Sequence, residues 1–389
     1  METILEQELN VNKSTWQKIK FGDVVNEPKE SIKDPEAAGI RNVVGLEHIV
    51  SEDIHLRNSA SIEEATTFTK NFKKGDVLFG RRRAYLKKAA QAPFNGICSG
   101  DITVFRAKEN LLPELLPFIV NNDKFFDYAV KHSAGGLSPR VKFKDLANYE
   151  FLLPPKDQQA QLAELLWAMD EVIERGLITK DKLQINKEVL RKEYFQIKEN
   201  SKTVKIGNIA KLTAGGTPST SKTEYWENGE IPWLSSGEVH KKRVYNTEKL
   251  ISRKGLQESS AKLLPVKTCL IALAGQGKTK GTVAISEIEL TTNQSVAAII
   301  PNKDMIEADY LYHNLDSRYL DFRHITGKEN SRTGLNLRIL KGFEIVYHLP
   351  NLRKSIIEKF NNIDKLIELS DDKILASKSL QKSLINQIF

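Results

Sequence analysis

PPKDQQAQLAELLWAMDEVIERGLITKDKLQINKEVLRKEYF, residues 154–195, decides how the rest of the chain is organised. After Pro154-Pro155 the run holds one glycine, Gly176, and no further proline, so nothing in it stops a helix. Leu162, Leu166, Met169 and Ile173, then Leu183, Leu190 and Tyr194, fit an alternating four-and-three spacing. That spacing predicts the seam of a long helix that needs a partner helix. At 1.5 Å per residue it is about 60 Å long, more than one small domain can enclose. The frame returns at the end of the chain: Pro350 opens it, and Ile356, Phe360, Ile363, Ile367, Ile374, Leu384 and Ile388 fill it before Phe389. A displacement of 194 carries Leu162 to Ile356, Leu166 to Phe360, Asp170 to Asp364, Leu190 to Leu384 and Phe195 to Phe389. A repeat this long makes the chain two copies of one unit, each a globular part followed by a long helix.

The bulk properties agree. A chain of 389 residues, 40% hydrophobic, can bury two cores of ordinary domain size. The formal net charge of +8 favours a polyanionic partner without requiring one. Cys98 and Cys269 are far apart and lack metal-ligand spacing, which predicts a reduced cytoplasmic protein. The opening METILEQELNVNKSTW lacks the apolar core of a secretory signal, and no apolar run approaches membrane-spanning length.

Within each globular part the pattern predicts short strands and short helices, an α+β fold. Residues 16–25 read as a strand or short helix, with their counterpart at 204–210; residues 93–105 read as a strand pair, and 111–131 as helical. The predicted boundaries are 1–153 and 201–349 for the globular parts, and 154–200 and 350–389 for the helices. A second apolar stripe, Leu165, Val172 and Val189 in one helix and Leu366 and Leu380 in the other, lies beside each seam. Helices apolar on more than one face have more than one neighbour.

Patterns for catalysis are weak. Gly275-Gln276-Gly277-Lys278-Thr279 resembles the end of a phosphate-binding loop, but Ala272 stands where the first glycine belongs. Seven histidines are scattered without ligand spacing and read as surface residues. No nucleophile elbow, amino-methylation motif or nuclease carboxylate cluster stands out. The basic loops are stronger signals: Arg81, Arg82 and Arg83 with Tyr85, Lys87 and Lys88, followed by Arg140 and Lys142. The second copy carries Lys241, Lys242 and Arg243, Lys278 and Lys280, then Arg332 and Arg338, beside loops containing Thr217, Ser219 and Gln276. Such groups neutralise phosphates and read base edges, so these are the candidate DNA-binding residues. Trp226 and Trp233 read as packing residues.

Gly216-Thr217-Pro218-Ser219, Tyr225-Trp226, Ile231-Pro232-Trp233, Leu153-Pro154-Pro155 with Gln158-Gln159, and the terminal Leu384-Ile385-Asn386-Gln387-Ile388-Phe389 come in an order that, with the repeat, resembles the specificity subunit of type I restriction–modification systems. The resemblance implies two target-recognition domains separated by two long antiparallel coiled-coil helices. It implies a non-catalytic adaptor that reads a bipartite double-stranded DNA site, the helices setting the interval between half-sites. It implies two methyltransferase subunits as partners, with restriction subunits an optional addition. S-adenosylmethionine, ATP and Mg belong to those partners, and this chain holds no cofactor. Two other readings stand beside it: a methyltransferase or nuclease with an unrecognised site, and a coiled-coil scaffold with no DNA role.

Overall fold

The computed structural model describes residues 12–64, 67–275, 277–325 and 334–389. The chain forms two compact units: Met1–Ile178 with Ser370–Phe389, and Thr179–Leu369. Each unit therefore contains half of each long helix, a division by contact that differs from the division by element.

In the first unit, strand Gln17–Lys20 pairs antiparallel with Glu150–Leu153, from Gln17↔Leu153 to Lys20↔Glu150, clasping the opening of the globular part to its close. Val77–Gly80 is buried throughout, which explains its unbroken apolar run. It sits inside a four-stranded sheet ordered Val25–Asn26, Ile102–Ala107, Val77–Gly80, Ala89–Gln91. A second sheet contains Asn42–Val44 running parallel to Gly96–Cys98. Phe21, Phe79, Phe105 and Phe125 fill the core, with the Phe21 centroid 5.2 Å from Phe105 and 4.9 Å from Phe125. The helical stretch expected at 111–131 is divided: Leu116–Val120 stops, and Asp123–Lys131 restarts. Asn122 causes the break, because its side chain accepts from the Lys124 N–H as a helix cap.

The second unit repeats the plan. Thr203–Lys205 pairs with Glu344–Val346. Its main sheet runs Ala210–Ala214, Val296–Pro301, Cys269–Ala272, Val283–Ser286, then an additional edge strand Arg243–Val244. Ile231–Leu234 lies parallel to Thr291–Thr292, as Asn42–Val44 does to Gly96–Cys98.

The long helices run unbroken over Lys156–Phe195 and Pro350–Ile388. In the first unit, Gln381 Nε2 donates to the Leu166 carbonyl, and a Cβ built on Gly176 would lie 2.8 Å from Ile374 Cγ1. In the second, Lys187 reaches Asp364 at 2.5 Å and Lys359 reaches the Tyr194 hydroxyl at 2.7 Å. Partner numbers fall as helix numbers rise, so the helices are antiparallel in both units. Leu166, Ile173, Ile356, Phe360, Ile363 and Ile374 are buried along the seam.

Each helix end enters the core of a different copy. Phe195 is 1% exposed among second-unit residues, 5.7 Å from Tyr310 and 5.3 Å from Phe360 between ring centroids. Phe389, with Leu384, Ile385 and Ile388, packs into the first unit's core. There Asn386 donates to Asp123 at 2.7 Å, and Asn122 donates to the Ile385 carbonyl. Helix starts are tied as well. Buried Gln159 accepts from the Leu112 N–H and donates to the Asn110 carbonyl. Arg353, 194 residues on, instead pairs with Glu307 at 2.6 Å.

Candidate nucleic-acid interface

In the first unit, backbone hydrogen bonds merge two predicted loops into one surface. The Arg83 N–H donates to the Pro139 carbonyl at 2.9 Å and the Val141 N–H to the Arg81 carbonyl at 3.1 Å, forming an Arg82↔Arg140 bridge. Asp101 holds the junction: Arg82 Nη1 lies 3.1 Å and Arg140 Nε 2.7 Å from its two carboxylate oxygens. Burial pushes the Asp101 carboxyl up, but the hydrogen bonds from Arg140 and Arg82 outweigh it and hold the group below its usual range. Arg82 also donates to the Ser138 hydroxyl.

Arg83 and Lys87 both have left-handed backbones, φ +54° and +49°. Non-glycine residues seldom adopt this conformation, and here two of them bracket the turn Ala84–Leu86. The turn buries Ala84 and leaves Tyr85 54% exposed. Arg83 and Lys142 are exposed, so their charges face solvent. Lys87 is drawn inward to Asp123 at 2.6 Å, a hydrogen bond that raises its ammonium pKa. Lys88 donates to the Leu46 carbonyl. Thus Arg81, Arg82, Arg83, Tyr85, Arg140 and Lys142 come together, whereas Lys87 and Lys88 brace neighbouring loops.

The second unit is arranged differently. Lys241 pairs with buried Glu238 at 2.8 Å and Lys242 with buried Asp316 at 2.7 Å. Arg243 is committed to Glu287, Asp309 and Asn361, with its guanidinium over the Tyr312 ring. Its fork is occupied by internal acceptors, because the strand that carries it lies against the core. An open cleft of about 430 Å³ is lined by Arg191, His240, Lys242, Lys278, Asp316 and Tyr319 among others. Burial pushes Asp316 up, yet Lys242 and Arg191 hold it ionised, below its ordinary value. Lys280 donates to the Ile325 carbonyl, and Arg338 is exposed on a short helix. Thr217 bonds to Gln294 and Ser219 to Ser221. Gln276 and Arg332 lie outside the described residues.

Trp226 and Trp233 support the Gly216–Ser219 loop from beneath. Their centroids are 5.1 Å apart, Trp233 Nε1 donates to the Gly216 carbonyl and Trp226 Nε1 to the Ser219 carbonyl. Gly275 and Gly277 belong to a turn between two antiparallel strands, and the loop leads into no helix. The expectation of surface histidines needs correction. His313 is buried against Asn361, and burial lowers its pKa to about 4; His55 is half-buried, 2.8 Å from buried Asp170. Both face helix residues that bring their polar groups to the globular part, a contact no local pattern reveals. Among the described residues no cluster suited to a metal is present, and no helix is long and apolar enough to cross a membrane.

The second stripe is exposed. Leu165, Val172 and Leu380 in the first unit, and Val189 and Leu366 in the second, are between 42% and 59% exposed. Sequence reading missed Ile178 and Leu375 in the first unit, and Ile185 and Leu369 in the second, also exposed. It missed Arg191 in the cleft, which reads as one more helix charge, and Leu137. For Leu137 a signal existed: a large apolar residue among small and polar ones in HSAGGLSP.

A family model described as the type I restriction modification DNA specificity domain matches residues 13–186 and again 198–377. The chain is 31% identical over 163 residues to the type I restriction enzyme EcoR124I/EcoR124II specificity subunit of Escherichia coli, covering 41% of this chain and 40% of that one. It is 32% identical over 169 residues to the MjaIX specificity subunit of Methanocaldococcus jannaschii, covering 42% and 38%. These matches span about two fifths of each relative's length. The fold is similar over 98% of both chains to a type I restriction–modification S subunit from M. genitalium, at a TM-score of 0.64 and 14% identity.

Proposed function

This chain belongs to the type I restriction–modification DNA specificity family, and on that premise we propose that it is the non-catalytic subunit that reads a bipartite site in double-stranded DNA. Each unit reads one half-site. The observation that carries this reading is the duplicated architecture, in which one chain presents two similar globular folds, each with basic loops. Two unlike surfaces on one repeated scaffold suit a split, asymmetric target, since base contacts specify while phosphate contacts position. Arg82, Arg83, Tyr85, Arg140 and Lys142 serve the first half-site. Lys278, Arg338, Thr217 and Ser219, with Arg191 and Lys242 at the cleft, serve the second.

The exposed stripes on the long helices receive methyltransferase subunits, because apolar rows of this kind on paired helices call for further helices. Those subunits bring S-adenosylmethionine and extrude the target base. Restriction subunits bring ATP and Mg. The test is to express the chain with the methyltransferase of its own system and sequence modified bases in the host DNA. A split motif that appears only when this chain is present is the expected result. Methylation without the chain, or an unbroken motif, would overturn the proposal.

A further inference from the structure

Leu137 is 98% exposed, more than any other large apolar side chain described. It stands in a loop whose ends are joined by paired hydrogen bonds, Ala134 N–H to the Arg140 carbonyl at 3.0 Å and Arg140 N–H to the Ala134 carbonyl at 2.9 Å. Gly135, at φ +116°, makes the turn that a side chain would strain. Arg82 steadies the loop through Ser138, and the Arg83 N–H holds Pro139. Leu137 is therefore displayed by a short loop braced at its closure and is not left on a loose tip. Exposing a leucine to water has no folding benefit. Around it the surface is basic: Arg83, Lys131 and Lys142 are exposed, and Arg140 is half-exposed beside Asp101.

We propose that Leu137 is a specificity-determining residue that packs against a thymine methyl group in the major groove of the first half-site, an inference that rests on the DNA-reading function above. The occupant follows from charge and shape. Exposed Arg and Lys around an apolar point match a polyanion whose interior edge carries an apolar group, and among DNA bases only thymine offers a methyl there. The thymine methyl is presented in the major groove, about 12 Å wide, while the minor-groove edge of the same base offers only an acceptor, so the contact is made from the major groove. The counterpart loop of the second unit extends into residues outside the described set, so the inference concerns the first half-site alone.

The experiment uses the assembled methyltransferase complex and a duplex carrying its mapped site. Each thymine of the first half-site is replaced in turn by uracil, which lacks only the methyl group. For the unaltered complex one such replacement should weaken binding about fourfold, as for one methyl group no longer buried. In a complex carrying Leu137→Ala the same replacement should have no effect, and Leu137→Asp should relax the first half-site while the second half of the motif persists. Uracil effects of equal size with Leu137 and with Leu137→Ala would overturn the proposal. So would a Leu137→Ala defect accompanied by lost DNA bending and no uracil sensitivity, which marks a base-step wedge. Thermal unfolding of both variants checks the fold, which a side chain this exposed does not support. If the unaltered complex selects no split site, the DNA-reading function fails; if it selects one whatever stands at 137, only this inference fails.

Discussion

Replacing Phe195 by alanine should destabilise the second unit, although Phe195 ends the helix of the first repeat. Its ring is 1% exposed and lies 5.7 Å from Tyr310 and 5.3 Å from Phe360, both in that unit's core. A Phe→Ala change in a core costs about 3–5 kcal/mol. Two aromatic contacts worth about 0.5–1.5 kcal/mol each place this site in the upper half of that range. Phe389, its counterpart in the repeat, is less fully buried, at 7% exposed, so Phe389→Ala belongs at the lower end of that range. Hydrogen exchange separates the two effects. In Phe195→Ala, amides of the helix Ala308–Ser317 should lose protection by about a thousandfold for a cost near 4 kcal/mol, with the strand Val77–Gly80 unchanged. Phe389→Ala should weaken Val77–Gly80 and spare Ala308–Ser317. Equal losses in both units from either change, or loss confined to the first unit in Phe195→Ala, would refute the assignment of helix ends to cores.

Other perturbations test other contacts. The Asp170 hydrogen bond raises the His55 pKa, against opposing burial, so this pair's stabilisation is complete below about pH 6.5 and is lost as pH rises through the higher folded value. Asp170→Asn should flatten that dependence in urea unfolding from pH 5.5 to 8.5 (about those limits), and an unchanged slope would contradict the pairing. Gly176→Ala gains about 1 kcal/mol of helix propensity but forces a Cβ to 2.8 Å from Ile374 Cγ1, a clash worth about 1–3 kcal/mol. Net destabilisation is expected, with recovery in the Gly176→Ala, Ile374→Ala double variant, both read by thermal unfolding. Arg243→Ala should cost about 1–3 kcal/mol of stability in thermal unfolding, because Glu287 and Asp309 lose its hydrogen bonds and keep Lys267 as their remaining cationic partner. Arg83→Ala should leave stability intact and reduce the salt slope of DNA binding by about 1.

The helices were legible in the chain because a coiled-coil seam is a local, periodic property: burial at Leu166, Ile173, Ile356, Phe360 and Ile374 follows the spacing of apolar residues. The repeat was legible for the same reason, since one displacement of 194 carries residues 150–152 onto Glu344–Val346 and Ile102–Ala107 onto Val296–Pro301. The basic character of the loops was legible from composition alone. Which charges remain free was not, because an ion pair depends on what folding brings near. Asp101 leaves Arg83 outward while engaging Arg82 and Arg140, and Glu287, Asp309 and Asn361 occupy Arg243 from positions 44 to 118 residues away in sequence. The division into units was equally hidden. Sequence order assigns Phe195 to the first copy and Phe389 to the second, whereas burial places each in the other's core, since a side chain joins the core that removes it from water.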